Sequence, residues 1–147
     1  MQYIHVRLGD TESYAMPYSF VEEIVNPNAI AKVPCTPAYV AGVLNLRSEI
    51  LTVIDLRHFF HLEADTNPDN KIWVIIVGID QAKMGVLVDE VYGNDFFSKD
   101  LLASPLASGN IQKQNYIKGI IEGKITLLDV ENLLLDRDLV VDDRVLQ

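Results

Sequence analysis

The sequence predicts an all-β protein built as two packed five-stranded β-barrel subdomains with short helices. Three observations predict it. A unit of glycine, polar turn, apolar strand and aspartate occurs as Gly42-Val43-Leu44-Asn45-Leu46-Arg47-Ser48-Glu49-Ile50-Leu51-Thr52-Val53-Ile54-Asp55, and again as Gly119-Ile120-Ile121-Glu122-Gly123-Lys124-Ile125-Thr126-Leu127-Leu128-Asp129. Short runs of β-branched and aromatic residues alternate with turn residues along the whole chain. The helical patterns are all brief, which points to a barrel or sandwich rather than an α/β sheet. A barrel of about 60 to 70 residues is marginal alone, and packing two together supplies the missing core.

The elements follow in order. Residues 3–7 alternate as a strand, Gly9-Asp10 turns, and residues 11–16 form a second strand closed by Pro17. Ser19-x-x-Glu22 has the form of a capping box ahead of Val21, Ile24 and Val25, so a short helical turn is expected there, ending before Pro27. Residues 30–33 read as a short strand, and Thr36-Pro37 as the start of a brief helix stopping at Gly42. Residues 45–48 form a turn and 49–54 a β-branched strand. Asp55 caps a short helix carrying Leu56, Phe59 and Phe60. Residues 62–70 read as a linker or long hairpin loop. The strongest strand is 72–77, with 84–88 as its hairpin partner. Asp89-Glu90-Val91 echoes Glu22-Glu23-Ile24. A helical turn is expected at Ser98, a loop over 104–115, a strand over 124–128, and a last helix capped by Asp129 with Val130, Leu133 and Leu134 on one face. One domain is expected over residues 1–138, its two barrel subdomains intertwined, followed by a frayed acidic tail at 139–147.

Composition removes several function classes. The chain has 147 residues and a formal net charge of −9, which opposes binding to nucleic acid backbone or to an anionic membrane surface. No apolar run reaches the roughly 18 residues of a membrane span. The first residues lack the pattern of a secretory signal, so a cytoplasmic protein is expected. The single cysteine, Cys35, makes neither an internal disulfide nor a paired metal clamp, and is read as a packed thiol.

Candidate chemistry is thin. His58 and His61 lie three apart with Asp55 before them, a spacing that could place zinc ligands together. A small metal hydrolase would be the corresponding enzyme, but no HExxH motif is present and Asp55 serves as a cap, so a solvated helix end is the ordinary account. Glu22, Glu23, Asp89 and Glu90 lie at element edges, where carboxylates stay wet rather than acquiring the split pKa values of an acid/base pair. They fit a polar rim beside an apolar groove. No phosphate-binding glycine loop or nucleophile elbow is present. No cofactor, metal or catalytic residue is expected. Arg47, between Leu46 and Ile50, is the residue that stands out: it is either a clamp on the 42–48 loop or part of a partner surface.

Val33-Pro34, Gly42-Val43-Leu44-Asn45-Leu46-Arg47 and Val53-Ile54-Asp55-Leu56-Arg57 together resemble the signature of the CheW-like family, the coupling proteins of bacterial chemosensory arrays. Tyr14-Ala15-Met16-Pro17, Val21-Glu22-Glu23-Ile24-Val25, Met84-Gly85-Val86-Leu87-Val88-Asp89-Glu90-Val91 and Tyr116-Ile117-Lys118-Gly119 resemble further segments, so the likeness spans about residues 3–136. Ser48 departs from the family's usual glycine and Thr52 from its frequent proline. The resemblance implies two SH3-like barrels with a groove between them and no catalysis. It implies a stand-alone adaptor, recruited from the cytoplasm to membrane-associated receptor arrays. One surface would engage the regulatory domain of a histidine kinase, and another the cytoplasmic tip of a chemoreceptor. The implied partner-binding residues are Val21 and Glu23, with Val86, Leu87 and Val88 lining the groove and Arg47 near or beneath it. The output could be chemotaxis, or a pilus-based or other chemosensory pathway.

Overall fold

A computed structural model describes residues 1–9, 11–27, 30–60, 62, 73–103 and 116–135. The expected loops at 62–70 and 104–115, His61 and the 139–147 tail lie wholly or mostly outside these residues. Eleven strands form two sheets among the described residues. β1 (Gln2–Leu8) and β2 (Glu12–Pro17) pair as an antiparallel hairpin. They share a six-stranded sheet with β8 (Glu90–Phe96), β9 (Leu102–Ala103), β10 (Ile117–Ile121) and β11 (Ile125–Leu128), in the order β8-β1-β2-β11-β10-β9. β3 (Val21–Val25), β4 (Val40–Leu46), β5 (Glu49–Ile54), β6 (Trp73–Ile79) and β7 (Ala82–Val88) form the second sheet, in the order β3-β6-β7-β5-β4. Helices α1 (Arg57–Phe60) and α2 (Val130–Leu135) follow β5 and β11.

The two copies of the glycine unit are matching structures. Tyr39 and Tyr116 precede them, and each tyrosine carbonyl accepts the N–H of the unit's aspartate, Asp55 at 2.7 Å and Asp129 at 2.8 Å. Each first strand carries one extra residue just before its glycine, Ala41 before Gly42 and Lys118 before Gly119. Each second strand then runs parallel to a strand from elsewhere, β5 to β7 and β11 to β2. Asp55 accepts the Arg57 N–H at 3.0 Å and Asp129 the Asn132 N–H at 3.0 Å, so both aspartates start helices as expected.

The repeats are not the sheets. β3 leaves its own half to pair with β6, and β8 leaves its half to pair with β1. Each half of the chain therefore contributes to both sheets. Three apolar clusters result. Ile4, Val6, Tyr14, Met16, Ile54, Leu56, Ile75, Val77, Met84, Leu128 and Leu133 belong to one between the sheets. Tyr3, Ala15, Phe97, Ile121 and Leu127 fill the curve of the first sheet, and Leu44, Leu51, Val53, Val74 and Ile76 that of the second. Successive residues of β6 face different clusters, which is why that strand is continuously apolar.

Neither sheet closes by hydrogen bonding among the described residues, which replaces the closed barrels expected from sequence with two open sheets. Four expected elements also change. Residues 21–25 are strand β3, preceded by a single 3-10 turn at Tyr18–Phe20, rather than a helix. An extra residue at Glu22 breaks the two-residue alternation there, leaving Val21, Ile24 and Val25 at a helix-like spacing. The expected helix after Thr36 is a turn leading into β4, because the Thr36 hydroxyl donates to the Val33 carbonyl at 2.8 Å and Val40 already pairs with Ile54. The 30–33 strand reduces to one bridge, Ala31 to Val43. That bridge explains Gly42, where a Cβ would lie 2.3 Å from the Ala31 carbonyl oxygen. β8 was hidden by the turn-like Gly93-Asn94-Asp95. Its Val91, not the Val88 that the echo implies, occupies the position of Val21, so the echo of acidic pairs is out of register.

The β4–β5 turn has Arg47 at φ 50° and Ser48 at φ 69°, the two positive values of a tight hairpin turn. In the second copy the corresponding pair is Glu122 and Gly123. Ser48 therefore adopts the conformation glycine would supply, at a steric cost. Ser48→Gly is expected to raise stability by about 1 kcal/mol, seen as a melting temperature about 2 to 4 °C higher.

Candidate interaction surface

The β6–β7 turn end of the second sheet gathers charge. Arg47 stands at the tip of the β4–β5 hairpin with its side chain 75% exposed, and its Nη2 lies 2.5 Å from Glu23 Oε1 on β3. Lys83 of β7 lies between Glu22 at 3.5 Å and Glu49 at 3.8 Å. In a flat sheet β3 and β5 would be roughly 14 Å apart, with β6 and β7 between them. Extended arginine and glutamate side chains together reach about that far, so the ion pair joins the hairpin tip to the β3 edge past two intervening strands.

The expected partner-binding residues divide into three settings. Glu23 and Arg47 are brought together at this charged rim. Val21 is beside them but half-buried, packed against the central core. Val86 and Val88 are 1% and 2% exposed within that core, so neither can line a groove: alternation along β7 turns both toward the space between the sheets. Leu87 points the other way, into a cleft of about 620 Å³ walled by Ile30, Val33, Pro37 and Val40, with Arg57 and Asp55 at one side. Leu87 and Val21 flank β6 three rungs apart, about 14 Å between them, and face opposite sides of the sheet. The surface is two features, a charged rim and a cleft of mixed polarity that also holds Lys32 and Thr36, rather than one groove.

Of the two roles open to Arg47 from sequence, loop clamp or partner surface, its exposure does not favour the clamp. Arg47 is solvent-exposed and joined to one carboxylate. Arg57, ten residues on, makes the clamp. Its Nε and Nη2 donate to the two oxygens of Asp55 at 2.9 and 2.8 Å, and its Nη1 donates to Asp89 Oδ1 at 3.0 Å. Asp89 Oδ2 accepts the Gly9 N–H at 2.6 Å, and the Asp89 N–H donates to the Arg7 carbonyl at 2.9 Å. Arg57 is 17% exposed and Asp89 11% exposed at their side chains. This network joins the end of β5, the crossover from β7 to β8 and the β1–β2 turn, and so ties the two sheets together. The signal was present: Arg57 ends the Asp-Leu-Arg triplet, and Asp89 follows a strand in the same way as Asp55.

Among the described residues no three His, Cys, Asp or Glu side chains come together as metal ligands. His58 is exposed, and Asp55 is engaged by Arg57. Cys35 is exposed rather than packed between its neighbouring prolines, in a turn where its φ is 62°. None of the helices among the described residues is long and apolar enough to cross a membrane.

The model of the CheW-like domain matches residues 2–138. The chain belongs to the CheW-like family. A chemotaxis protein CheW of Treponema pallidum is 29% identical over 144 residues, covering 94% of this chain and 84% of that protein. A region of the sensor histidine kinase CheAY of Helicobacter pylori is 29% identical over 125 residues, covering 85% of this chain and 15% of the kinase. The crystal structure of the scaffolding protein TtCheW from Thermoanaerobacter tengcongensis superposes with a TM-score of 0.79 at 26% identity, covering 93% of this chain and 94% of that one. The CheW-like fold thus accounts for both sheets and for both copies of the glycine unit.

Proposed function

We propose that this chain is a non-catalytic adaptor that couples chemoreceptors to a histidine kinase in bacterial chemotaxis. The observation that carries the reading is that a sensor histidine kinase contains a region similar to most of this chain. Two domains of one fold can meet through matching surfaces, and an adaptor of this kind can take a kinase domain's place in an assembly. In this reading each sheet forms an SH3-like barrel, and the Glu23–Arg47 contact ties the β4–β5 tip to β3 in the second. The receptor tip, a helical hairpin, would present an apolar stripe to Leu87, with its charged flanks meeting Glu23 and Arg47. The protein would work in the cytoplasm, recruited to receptor arrays at the membrane.

The test is a pull-down with a receptor cytoplasmic fragment and with the kinase regulatory domain, separately and together. Binding to each, and a complex containing all three, is the expected result. Failure to bind either partner would sink the proposal. Kinase binding without receptor binding would leave a ring component instead of a coupler. The same surfaces would serve a pilus-based or other chemosensory pathway, and partners drawn from each system separate these outputs.

A further inference from the structure

His5 occupies the middle of β1, between Ala15 of β2 and Gly93 of β8. Its Nε2 is buried without a hydrogen-bond partner among the described residues. Tyr92 covers it, with ring centroids 4.7 Å apart and planes tilted by 54°. Tyr3 stands on its other side at 6.4 Å. The register between β1 and β8 breaks at this point, where Tyr92 is the extra residue on β8. β8 is also the outermost strand of its sheet, and Tyr92 is 51% exposed.

Neutral imidazole can leave one nitrogen dry. Imidazolium carries a donor on both nitrogens, and here one of them would face no acceptor. Water is the nearest remedy, and Tyr92 stands in its way. The other groups facing His5 do not supply an acceptor. Asp95 of β8 attracts the proton but makes no hydrogen bond to Nε2. Ala15 of β2 carries no polar side chain. Glu122, in the β10–β11 turn, acts on Tyr3. Arg7, two residues along β1, is held by Glu90 and the Gly9 carbonyl. A bulged edge strand has one neighbour to lose, so its middle can yield while the rest of the sheet stays paired.

We propose that His5 and Tyr92 form a proton-operated latch on β8: the neutral imidazole holds Tyr92 over itself, and protonation turns Tyr92 outward and loosens the middle of β8 from β1. Burial lowers the pKa of His5 below its ordinary 6.5, with Asp95 partly opposing. The folded protein therefore takes up this proton at lower pH than the unfolded chain. The contribution of His5 to stability is complete above about pH 6.5 and is lost as pH falls through the folded-state value. The latch does not depend on the adaptor reading.

Amide exchange and histidine titration by NMR on the full chain test it. Protection of those amides among Gly93, Asn94 and Asp95 that donate to β1 is expected to fall at least about tenfold between about pH 7.5 and about pH 5, following the His5 titration, while β6 stays protected. Tyr92→Ala should bring the His5 titration back toward its ordinary value. His5→Phe should keep β8 protected at both pH values, and His5→Gln serves the same purpose if the larger ring does not fit. A His5 that titrates at or above 6.5, unchanged protection in β8, or the same loss in both His5 variants would overturn the latch.

Discussion

Arg57→Ala is expected to lower stability by about 2 to 3 kcal/mol, reducing the urea midpoint by about 1 to 2 M. The substitution removes three charge-assisted hydrogen bonds and leaves Asp55 and Asp89 facing each other across the vacated site. Both carboxylates are largely shielded from water, so neither is fully rehydrated. Arg57→Lys should recover only part of the loss, because one ammonium cannot reproduce a bidentate fork on Asp55 together with a bond to Asp89. Arg47→Ala is the contrast. That side chain is an exposed ion-pair partner, so its loss should cost less than about 1 kcal/mol. Equal midpoints for the two alanine variants would show that Arg57 does not clamp the sheets.

Reversing Glu23 or Arg47 alone should weaken receptor association tenfold or more, about 1.4 kcal/mol per decade, with little change in stability. The double reversal, Glu23→Arg with Arg47→Glu, separates two explanations. It restores an ion pair across the sheet while inverting the charges offered to a partner. If the rim is read by a partner, the double variant stays defective in binding although its midpoint is normal. Recovery of binding in the double variant would mean that the pair only ties the hairpin tip to β3. Val21→Asp is a poor probe of the same surface, because Val21 packs on the central core and a carboxylate there would disturb folding as well.

How far the surface could be read depended on which face each residue takes. Glu23 and Arg47 were singled out from motifs, and the turn that carries Arg47 followed from local pattern, whereas that pattern suggests a helix at Glu23 where the structure has a strand. Their contact did not follow, since it depends on the order of strands that places β3 and β5 in the same sheet with two strands between them. Val86, Leu87 and Val88 read as one apolar stretch. In a strand covered on both faces the alternation of polarity disappears, so the sequence shows no sign of which valines are inside.

The sequence by itself determined the repeated unit, the two aspartate-started helices, the β1–β2 and β6–β7 hairpins and the family. Each rests on local physics: a turn, a cap, a run of β-branched residues, or a set of closely spaced motifs. The tertiary structure alone decided where β3 and β8 go. Each is a bulged strand whose pairing partner lies in the other half of the chain, β6 for β3 and β1 for β8, and a bulge erases the period that would mark it. It also decided that Arg57 rather than Arg47 is the clamp. An arginine's role depends on which carboxylates long-range folding brings within reach, and Asp89 reaches Arg57 from 32 residues away only after the chain has crossed between sheets.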